Sequence, residues 1–265
     1  QTLILGDIRY QWVQDIACSL NVNNVVMVDD GGAVLAVMEY ILKPKACQIP
    51  YHSPKSVEDA RYQLAQQVKA QYQMRIQPRQ IDIFSVFFKE TLPAIQINNF
   101  SQISRWFNPS LKFTTINEVH IVGGPFVEKN LITLPDYLSY IQRLDQTFPP
   151  DSSKVYIAHR FEDSLEKTQQ LQDMGYEIRF SEINYEITLL MSKKLPSVVG
   201  SILSTSLFNL KVIFGESIDC RFVRFNESQI ARYAEQYMMV DNYTVAQHWQ
   251  QIFERLPAYD VSELV

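Results

Sequence analysis

Three segments of the chain, VYIAHRFED (155–163), INYE (183–186) and SVVGSILSTSLFNL (197–210), decide its fold class. The first and the third contain short runs of β-branched and apolar residues, typical of buried strands, and both runs lead into polar residues. In open α/β sheets, ligands bind beyond the carboxyl ends of the strands. The segments therefore predict an α/β protein whose ligand site is formed by the residues that follow these strands.

Elsewhere in the chain, apolar runs alternate with amphipathic helical patterns. Strands are predicted at 25–28, 81–88, 119–122, 155–158, 177–180, 197–202 and 220–225, and the opening residues TLILGD read as a strand running into a turn. Helices are predicted at 57–73, 134–147, 164–174 and 187–193. This alternation indicates parallel sheets.

A domain boundary is predicted in the segment FPPDSS (148–153), because two prolines and small polar residues break the preceding helix. The two domains are placed at 1–149 and 150–265. Two helical segments within 227–256 are expected to cross back to the first domain. Between 43 and 110, frequent prolines predict several turns rather than long continuous elements.

Composition narrows the class of protein. With 265 residues, 46% of them hydrophobic, the chain can bury a full core. The net charge of −5 argues against nucleic acid as a partner. The three cysteines are far apart and lack CxxC spacing, so neither a disulfide framework nor a zinc site is predicted. No stretch reaches the ~20 apolar residues of a membrane span.

The segment Asp29-Asp30-Gly31 follows the apolar run VVMV. A carboxylate at the end of a strand can act as a general base toward a substrate hydroxyl. The alternative is that an Asp-Gly pair merely forms a turn and caps the next helix. The sequence leaves both interpretations open.

His159 and Arg160 end the strand VYIA. The imidazole could neutralise or protonate a departing phosphate, and the guanidinium could hold a phosphate or a carboxylate through two hydrogen bonds. The alternative is a surface pair that caps a loop. Glu162 and Asp163 are expected to begin the next helix, where acidic side chains offset the helix dipole.

Hydroxyl groups follow the strand-like SVVG, with Ser204, Thr205 and Ser206 leading into a helix. Backbone N–H groups at a helix N-terminus bind anions, so these residues are candidates for a nucleotide phosphate, although one of them would suffice as an ordinary cap. Glu186, in the first turn of another predicted helix, could bind ribose hydroxyls or be structural. Gly124 could admit a ligand closely or form a simple turn.

The remaining polar and aromatic candidates are interpreted as structural. His52, His120 and His248 have no neighbours at metal-ligand spacing, and the three tryptophans are expected to pack in the core.

Taken together, these motifs resemble the bacterial lipooligosaccharide sialyltransferases and their capsular polysialyltransferase relatives. The resemblance covers about half of the chain, from IVGGPFVEKNLITLPDYLSYIQRL onward. The family carries an acidic pair before glycine, a His-Pro or His-Arg motif and a Ser/Thr motif. This chain has matches in the same order: Asp29-Asp30-Gly31, His159-Arg160 and Ser204-Thr205-Ser206. The family also has a glutamate between its second and third motifs, and Glu186 matches it.

The resemblance implies a metal-independent, inverting transferase with two Rossmann-like domains of the GT-B type and no cofactor. It makes Asp30 the base, with Asp29 second, and gives His159 the departing CMP phosphate. Ser204, Thr205 and Ser206 would hold that phosphate, with Arg160 and Gly124 in the same donor site and Glu186 on the cytidine ribose. The first domain is expected to be incomplete, because family members have several strands before the acidic motif.

The expected substrates are a CMP-sugar donor and an oligosaccharide or glycolipid acceptor of a bacterial surface glycan. The expected location is the bacterial cytoplasm. Peripheral attachment to the inner membrane and assembly into a homodimer are both left open. An alternative from another class is a non-catalytic nucleotide- or carbohydrate-binding module derived from a glycosyltransferase. A nucleotide-sugar epimerase is a third.

Overall fold

The computed structural model describes residues 1–6, 13, 16–17, 20–29, 31–32, 34–35, 67, 81–89, 93–106, 112–224, 226 and 245–262. The chain divides into two units. The first comprises Gln1–Asn98 and Ala234–Arg255, and the second Asn99–Tyr233 and Leu256–Val265. The helix predicted at 57–73 lies outside the described residues except for residue 67. The predicted helical tail lies outside them at 227–244.

The first unit contains a four-stranded parallel sheet. Its strands are β1 (Thr2–Leu5), β2 (Asn24–Val28), β3 (Asp82–Ser85) and β4 (Ile95–Ile97). They lie side by side in chain order, and each neighbouring pair is parallel. Val25, Met27, Ile83 and Ile95 are buried in these strands, and so is the polar Ser85 at the end of β3.

The second unit contains a six-stranded parallel sheet. Its strands are β5 (Thr114–Val122), β6 (Ser153–Ala158), β7 (Glu177–Phe180), β8 (Lys194–Ser201), β9 (Asp219–Phe222) and β10 (Tyr259–Asp260). Their order across the sheet is β7-β6-β5-β8-β9-β10. This is the doubly wound order 3-2-1-4-5-6 of Rossmann-like folds, in which the connections reverse direction between the first and fourth strands.

Helices connect these strands. They are α1 (Ser101–Trp106), α2 (Leu134–Asp145), α3 (Leu165–Asp173), α4 (Tyr185–Ser192) and α5 (Ser206–Phe214), and α6 (Val245–Arg255) belongs to the first unit. Local signals fix where α2 and α3 begin. The Thr133 side chain accepts a hydrogen bond from Asp136 N, and the Ser164 side chain accepts one from Lys167 N.

The centre of the second sheet is β5 and β8. Val119, Ile121, Val198 and Val199 are buried there because both faces of a parallel sheet are covered. A bulge interrupts the pairing of β5 with β8 between Ile116 and Val119. At the carboxyl ends, the buried Ser201 hydroxyl donates to Val122 O at 2.9 Å and holds the two strands together.

The α/β fold with parallel sheets is confirmed, and every predicted strand overlaps an observed one. The predictions missed β4, β10 and the first half of β5, which have few consecutive apolar residues. The predicted boundary at 149/150 falls inside the second unit. The FPPDSS segment is a connection from α2 to β6, and β6 pairs with β5 in the same sheet, so no division can lie there.

Another correction concerns the start of α3. Glu162 and Asp163 precede this helix, which begins at Leu165 after the Ser164 cap. None of the helices in the described ranges is both long and apolar enough to cross a membrane.

The close approach of α2 to β8 gives a first prediction. A Cβ on Gly200 would lie 2.8 Å from Cζ of Phe148 and 3.4 Å from a Leu144 methyl carbon. We expect Gly200→Ala to lower the free energy of unfolding by about 1–3 kcal/mol, because this packed layer has no room for a methyl group. Urea-induced unfolding followed by circular dichroism measures the change.

Phe148→Leu provides the control for this prediction. It removes the ring atom that blocks the new methyl group, so the double variant should lose less stability than the sum of the single variants. If the stability losses of the two single variants add exactly in the double variant, the contact between residue 200 and Phe148 is not the cause of the loss in Gly200→Ala.

Candidate functional site

Three loops meet at the carboxyl edge of the second sheet. They follow β5, β6 and β8, and they carry Gly123–Gly124, His159–Arg160 and Ser204–Ser206. The strands end level with one another, because Val122 is paired with Ile157 and Ile121 with Gly200. With β5 between them, the ends of β6 and β8 are two strand spacings apart, about 10 Å. The loops therefore flank the point at which the sheet connections reverse direction.

The loop after β6 fixes the orientation of His159. Phe161 N donates to His159 Nδ1 at 3.2 Å, and His159 N donates to Glu162 Oε2 at 2.5 Å. Because Nδ1 accepts a hydrogen bond, the proton of the neutral imidazole lies on Nε2. His159 is half-buried, so its Nε2–H can serve as a donor to a ligand.

Behind His159 lies a buried ion pair between Lys167 on α3 and Glu162. The side chains are 3% and 5% exposed, and Lys167 Nζ contacts Glu162 Oε1. The same oxygen accepts a hydrogen bond from the Tyr156 hydroxyl at 2.7 Å. Burial raises the pKa of Glu162, and the Lys167 ammonium opposes that rise. Both oxygens of Glu162 are thus used to hold the β6 loop.

The same ammonium group reaches the loop after β5. Lys167 Nζ donates to Gly124 O at 3.1 Å and lies 3.4 Å from Glu128 Oε2. It also lies 4.1 Å from the centroid of the Tyr137 ring, whose hydroxyl is 2.5 Å from that of Tyr156. One cation therefore ties together the loops after β5 and β6.

Glycine is required at the start of the β5 loop. A Cβ at Gly123 would collide with the Tyr156 hydroxyl and the Glu162 carboxylate, and a Cβ at Gly124 would collide with the ring of Phe126. The backbone thus approaches the buried polar group closely, which is a use that only glycine permits.

His159 lies in a positive field. Burial lowers its pKa below the usual histidine range, and the cations of Arg160, Lys129 and Lys167 lower the pKa further, while Glu128 opposes them. The neutral imidazole is therefore the resting form, and an anion bound beside it would favour the charged form.

The loop after β8 presents hydroxyl groups at the start of α5. Ser206 N donates to Ser204 Oγ at 3.2 Å, and Thr205 is the N-cap without using its side chain as a cap. The hydroxyls of Thr205 and Ser206 make no hydrogen bond to any described residue. A helix of nine residues with such an N-terminus suits an anion.

Glu186 lies in the first turn of α4 and faces α5. It is 7% exposed, and its Oε1 accepts a hydrogen bond from Asn209 Nδ2 at 2.7 Å. Its Oε2 has no hydrogen-bond or ion-pair partner among the described residues. Both a structural role and a role toward hydroxyl groups of a ligand agree with this geometry.

The acidic motif belongs to the first unit. Asp29 follows β2, and its Oδ2 accepts hydrogen bonds from Ser85 Oγ at 2.9 Å and Val86 N at 2.8 Å. These bonds tie the ends of β2 and β3 together, so Asp29 has a clear anchoring role. Asp30 lies outside the described residues, as does any geometry of the candidate base.

His120 is a structural residue, as predicted. It is 4% exposed, with Nδ1 2.7 Å from the Tyr185 hydroxyl and Nε2 2.7 Å from Glu118 Oε2. Trp249 is buried, as predicted for the tryptophans, while the side chains of the other two lie outside the described part. Within the described ranges, no group of three His, Cys, Asp or Glu side chains could hold a metal ion. Metal independence stays a prediction.

Sequence reasoning missed the residues that support the site, namely Glu162, Lys167, Tyr156 and Glu128. Glu162 was assigned to a helix dipole, and Lys167 falls within an ordinary amphipathic pattern. Two tyrosines could have pointed to this buried polar network. Tyr137 and Tyr156 lie at buried positions, and a buried tyrosine hydroxyl needs a polar partner.

Comparison of the chain with models of known protein families gave no match, and neither did comparison with curated proteins.

The buried ion pair yields a prediction on stability. Glu162→Ala leaves the Lys167 ammonium buried with a weaker partner, so we expect the free energy of unfolding to fall by about 3–5 kcal/mol. Glu166→Ala, an exposed change one helical turn away, should stay within about 0.5 kcal/mol. Denaturant unfolding of both variants measures the difference, and similar values for the two would contradict the assignment.

The orientation of His159 yields a prediction on titration. Long-range ¹H–¹⁵N spectra should show a neutral ring protonated on Nε2 and a pKa below about 6.5, with His159→Gln identifying the signal. The folded-state pKa is the lower one, so protonation opposes folding. Stability should fall as the pH drops through the unfolded value toward the folded one. A pKa above 6.5 or a proton on Nδ1 would refute this.

Proposed function

We propose that this chain is an inverting glycosyltransferase. It moves sialic acid, or a related nonulosonic acid, from a CMP-sugar donor to a terminal sugar hydroxyl of a bacterial surface glycan. The proposal carries with it a GT-B architecture of two Rossmann-like units, a metal-independent reaction and a cytoplasmic site of action. The chain has two units, each with its own parallel sheet, and this supports that architecture.

The observation that carries the proposal is the meeting of three motifs at one edge of the second sheet. These segments are up to 82 residues apart in the chain, yet they follow three adjacent strands. They are Gly124 after β5, His159-Arg160 after β6 and Ser204-Thr205-Ser206 after β8. Doubly wound sheets bind nucleotides at this position. Two of these segments, His159-Arg160 and Ser204-Thr205-Ser206, resemble sialyltransferase motifs and occur in the same order, which makes CMP the favoured nucleotide.

The donor phosphate binds at the start of α5 in this proposal. Its oxygens accept hydrogen bonds from the Thr205 and Ser206 hydroxyls and from backbone N–H groups at the helix N-terminus. Gly124 allows the β5 loop to approach the nucleotide. Glu186 accepts hydrogen bonds from the ribose hydroxyls through Oε2, while Asn209 holds its other oxygen.

The reaction breaks the bond between the anomeric carbon and the phosphate oxygen of the donor. Negative charge then accumulates on the phosphate, and the His159 Nε2–H is oriented to donate to it. As the charge develops, the pKa of His159 rises, so the imidazole stabilises the leaving group more strongly in the transition state than in the ground state.

The acceptor hydroxyl attacks the anomeric carbon from the opposite face and loses its proton to Asp30. Asp29 is less suited to this step, because its Oδ2 already accepts two hydrogen bonds that anchor the β2 and β3 ends. Asp29 instead anchors the end of β2 to the end of β3. Inversion follows from a single displacement with no covalent intermediate.

A donor screen tests the proposal. The protein is incubated with CMP-sialic acid, with and without a lactose-terminated acceptor, and CMP release is measured. Acceptor-dependent release supports the transferase. Tight CMP binding without release would favour the non-catalytic module. The sialyl assignment fails if CMP leaves the thermal stability unchanged at concentrations where another nucleotide raises it.

Replacement of His159 tests its part in the reaction. We expect His159→Ala to lower turnover by roughly 10²–10⁴, the usual contribution of a general acid or base. Asp163→Asn, an exposed change in the same loop, should retain the turnover of the unmodified protein. A loss below about tenfold for His159→Ala would make this residue structural.

A further inference from the structure

Lys129 and Phe161 adjoin the site but belong to none of the motifs found in the sequence. Phe161 is 54% exposed, although it lies beside a buried polar network. Arg160 stacks over this ring, with Cζ 4.8 Å from the centroid, and Lys129 Nζ lies 5.8 Å from it. The His159 ring is 5.4 Å from the ring of Phe161. Two loops thus gather two cations and an imidazole around one exposed aromatic ring.

Stacking on Phe161 restricts the guanidinium of Arg160. The contact with the ring limits the positions that the guanidinium samples, so less entropy is lost when a ligand binds. Arg160 makes no ion pair with any carboxylate of the described residues. Glu128 and Glu162 both contact the Lys167 ammonium in the interior.

Arg160 is exposed and therefore presents positive charge and N–H donors to solvent. Guanidinium groups of this kind pair with planar two-oxygen anions, and a carboxylate matches the fork in geometry and charge. The ammonium of Lys129 also attracts an anion, and it does so without requiring a particular hydrogen-bond direction.

We propose that Arg160, Lys129 and Phe161 form a carboxylate subsite beside His159. The inference rests on the proposed function, because a nonulosonic acid donor carries a carboxylate next to its phosphate. The phosphate binds at the start of α5 and at His159, and the sugar carboxylate binds the Arg160 fork. The subsite thus discriminates an acidic sugar from a neutral sugar on the same nucleotide.

The test compares two ligands on matched variants. Dissociation constants for CMP-sialic acid and for CMP are measured by calorimetry, without acceptor and at low ionic strength, on the unmodified protein, Arg160→Gln and Lys129→Gln. Arg160→Gln should weaken CMP-sialic acid about tenfold to a hundredfold, since it removes a charged hydrogen-bonded pair, and should change CMP less than about twofold. Lys129→Gln should weaken CMP-sialic acid to a smaller extent.

Two controls separate the possible outcomes. Lys194→Gln removes an exposed cation at the opposite end of β8 and should leave both constants unchanged. Phe161→Leu keeps the loop apolar but removes the stacking surface, so it should weaken CMP-sialic acid more than CMP.

The results distinguish this inference from the proposed function. Equal weakening of both ligands by Arg160→Gln would assign the cation to the phosphate and overturn the subsite, leaving the transferase intact. Unchanged constants for both ligands would also overturn it. Failure of the unmodified protein to bind either ligand would overturn the proposed function, and the subsite with it.

Discussion

The carboxyl edge of the second sheet depends on one buried ion pair, between Lys167 and Glu162. The pair lies between two loops that are far apart in sequence, and it satisfies the Gly124 carbonyl, the His159 N–H and the Tyr156 hydroxyl together. Removing charges from water costs free energy, and the surrounding hydrogen bonds offset this cost. The ion pair thus holds the backbone of the loop after β6, in which Phe161 N fixes the orientation of the His159 imidazole.

The second constraint is topological. The doubly wound order makes β5 the central strand, with β6 and β8 as its neighbours, so the residues that follow all three strands lie at one edge. Backbone geometry alone brings the imidazole, the glycine loop and the hydroxyl-bearing helix start near one another. The buried network then sets the orientation of the first two, and Ser201 ties β8 to β5 beside the third.

Sequence reasoning succeeded where a local pattern determines structure. Apolar runs such as VYIA and SVVG form strands because they suit a sheet covered on both faces, and His159 and Ser204 follow from the strand ends. It failed where long-range contacts decide. Lys167, the partner of Glu162, also donates to Gly124 O and lies beside Glu128, which are 43 and 39 residues away in the chain, so the local dipole interpretation was incomplete. The unit boundary was misplaced for a similar reason, since strand pairing across 149/150 cannot be read from the prolines.

The central claim is that the edge around β5 binds a CMP-linked donor. The most direct measurement is a titration of the ¹⁵N-labelled protein with CMP, followed by backbone amide chemical shifts. The claim predicts changes concentrated at 123–124, 159–161 and 204–206, together with a rise in the pKa of His159. Changes that avoid these three loops, or a spectrum that stays unchanged at millimolar CMP, would contradict it.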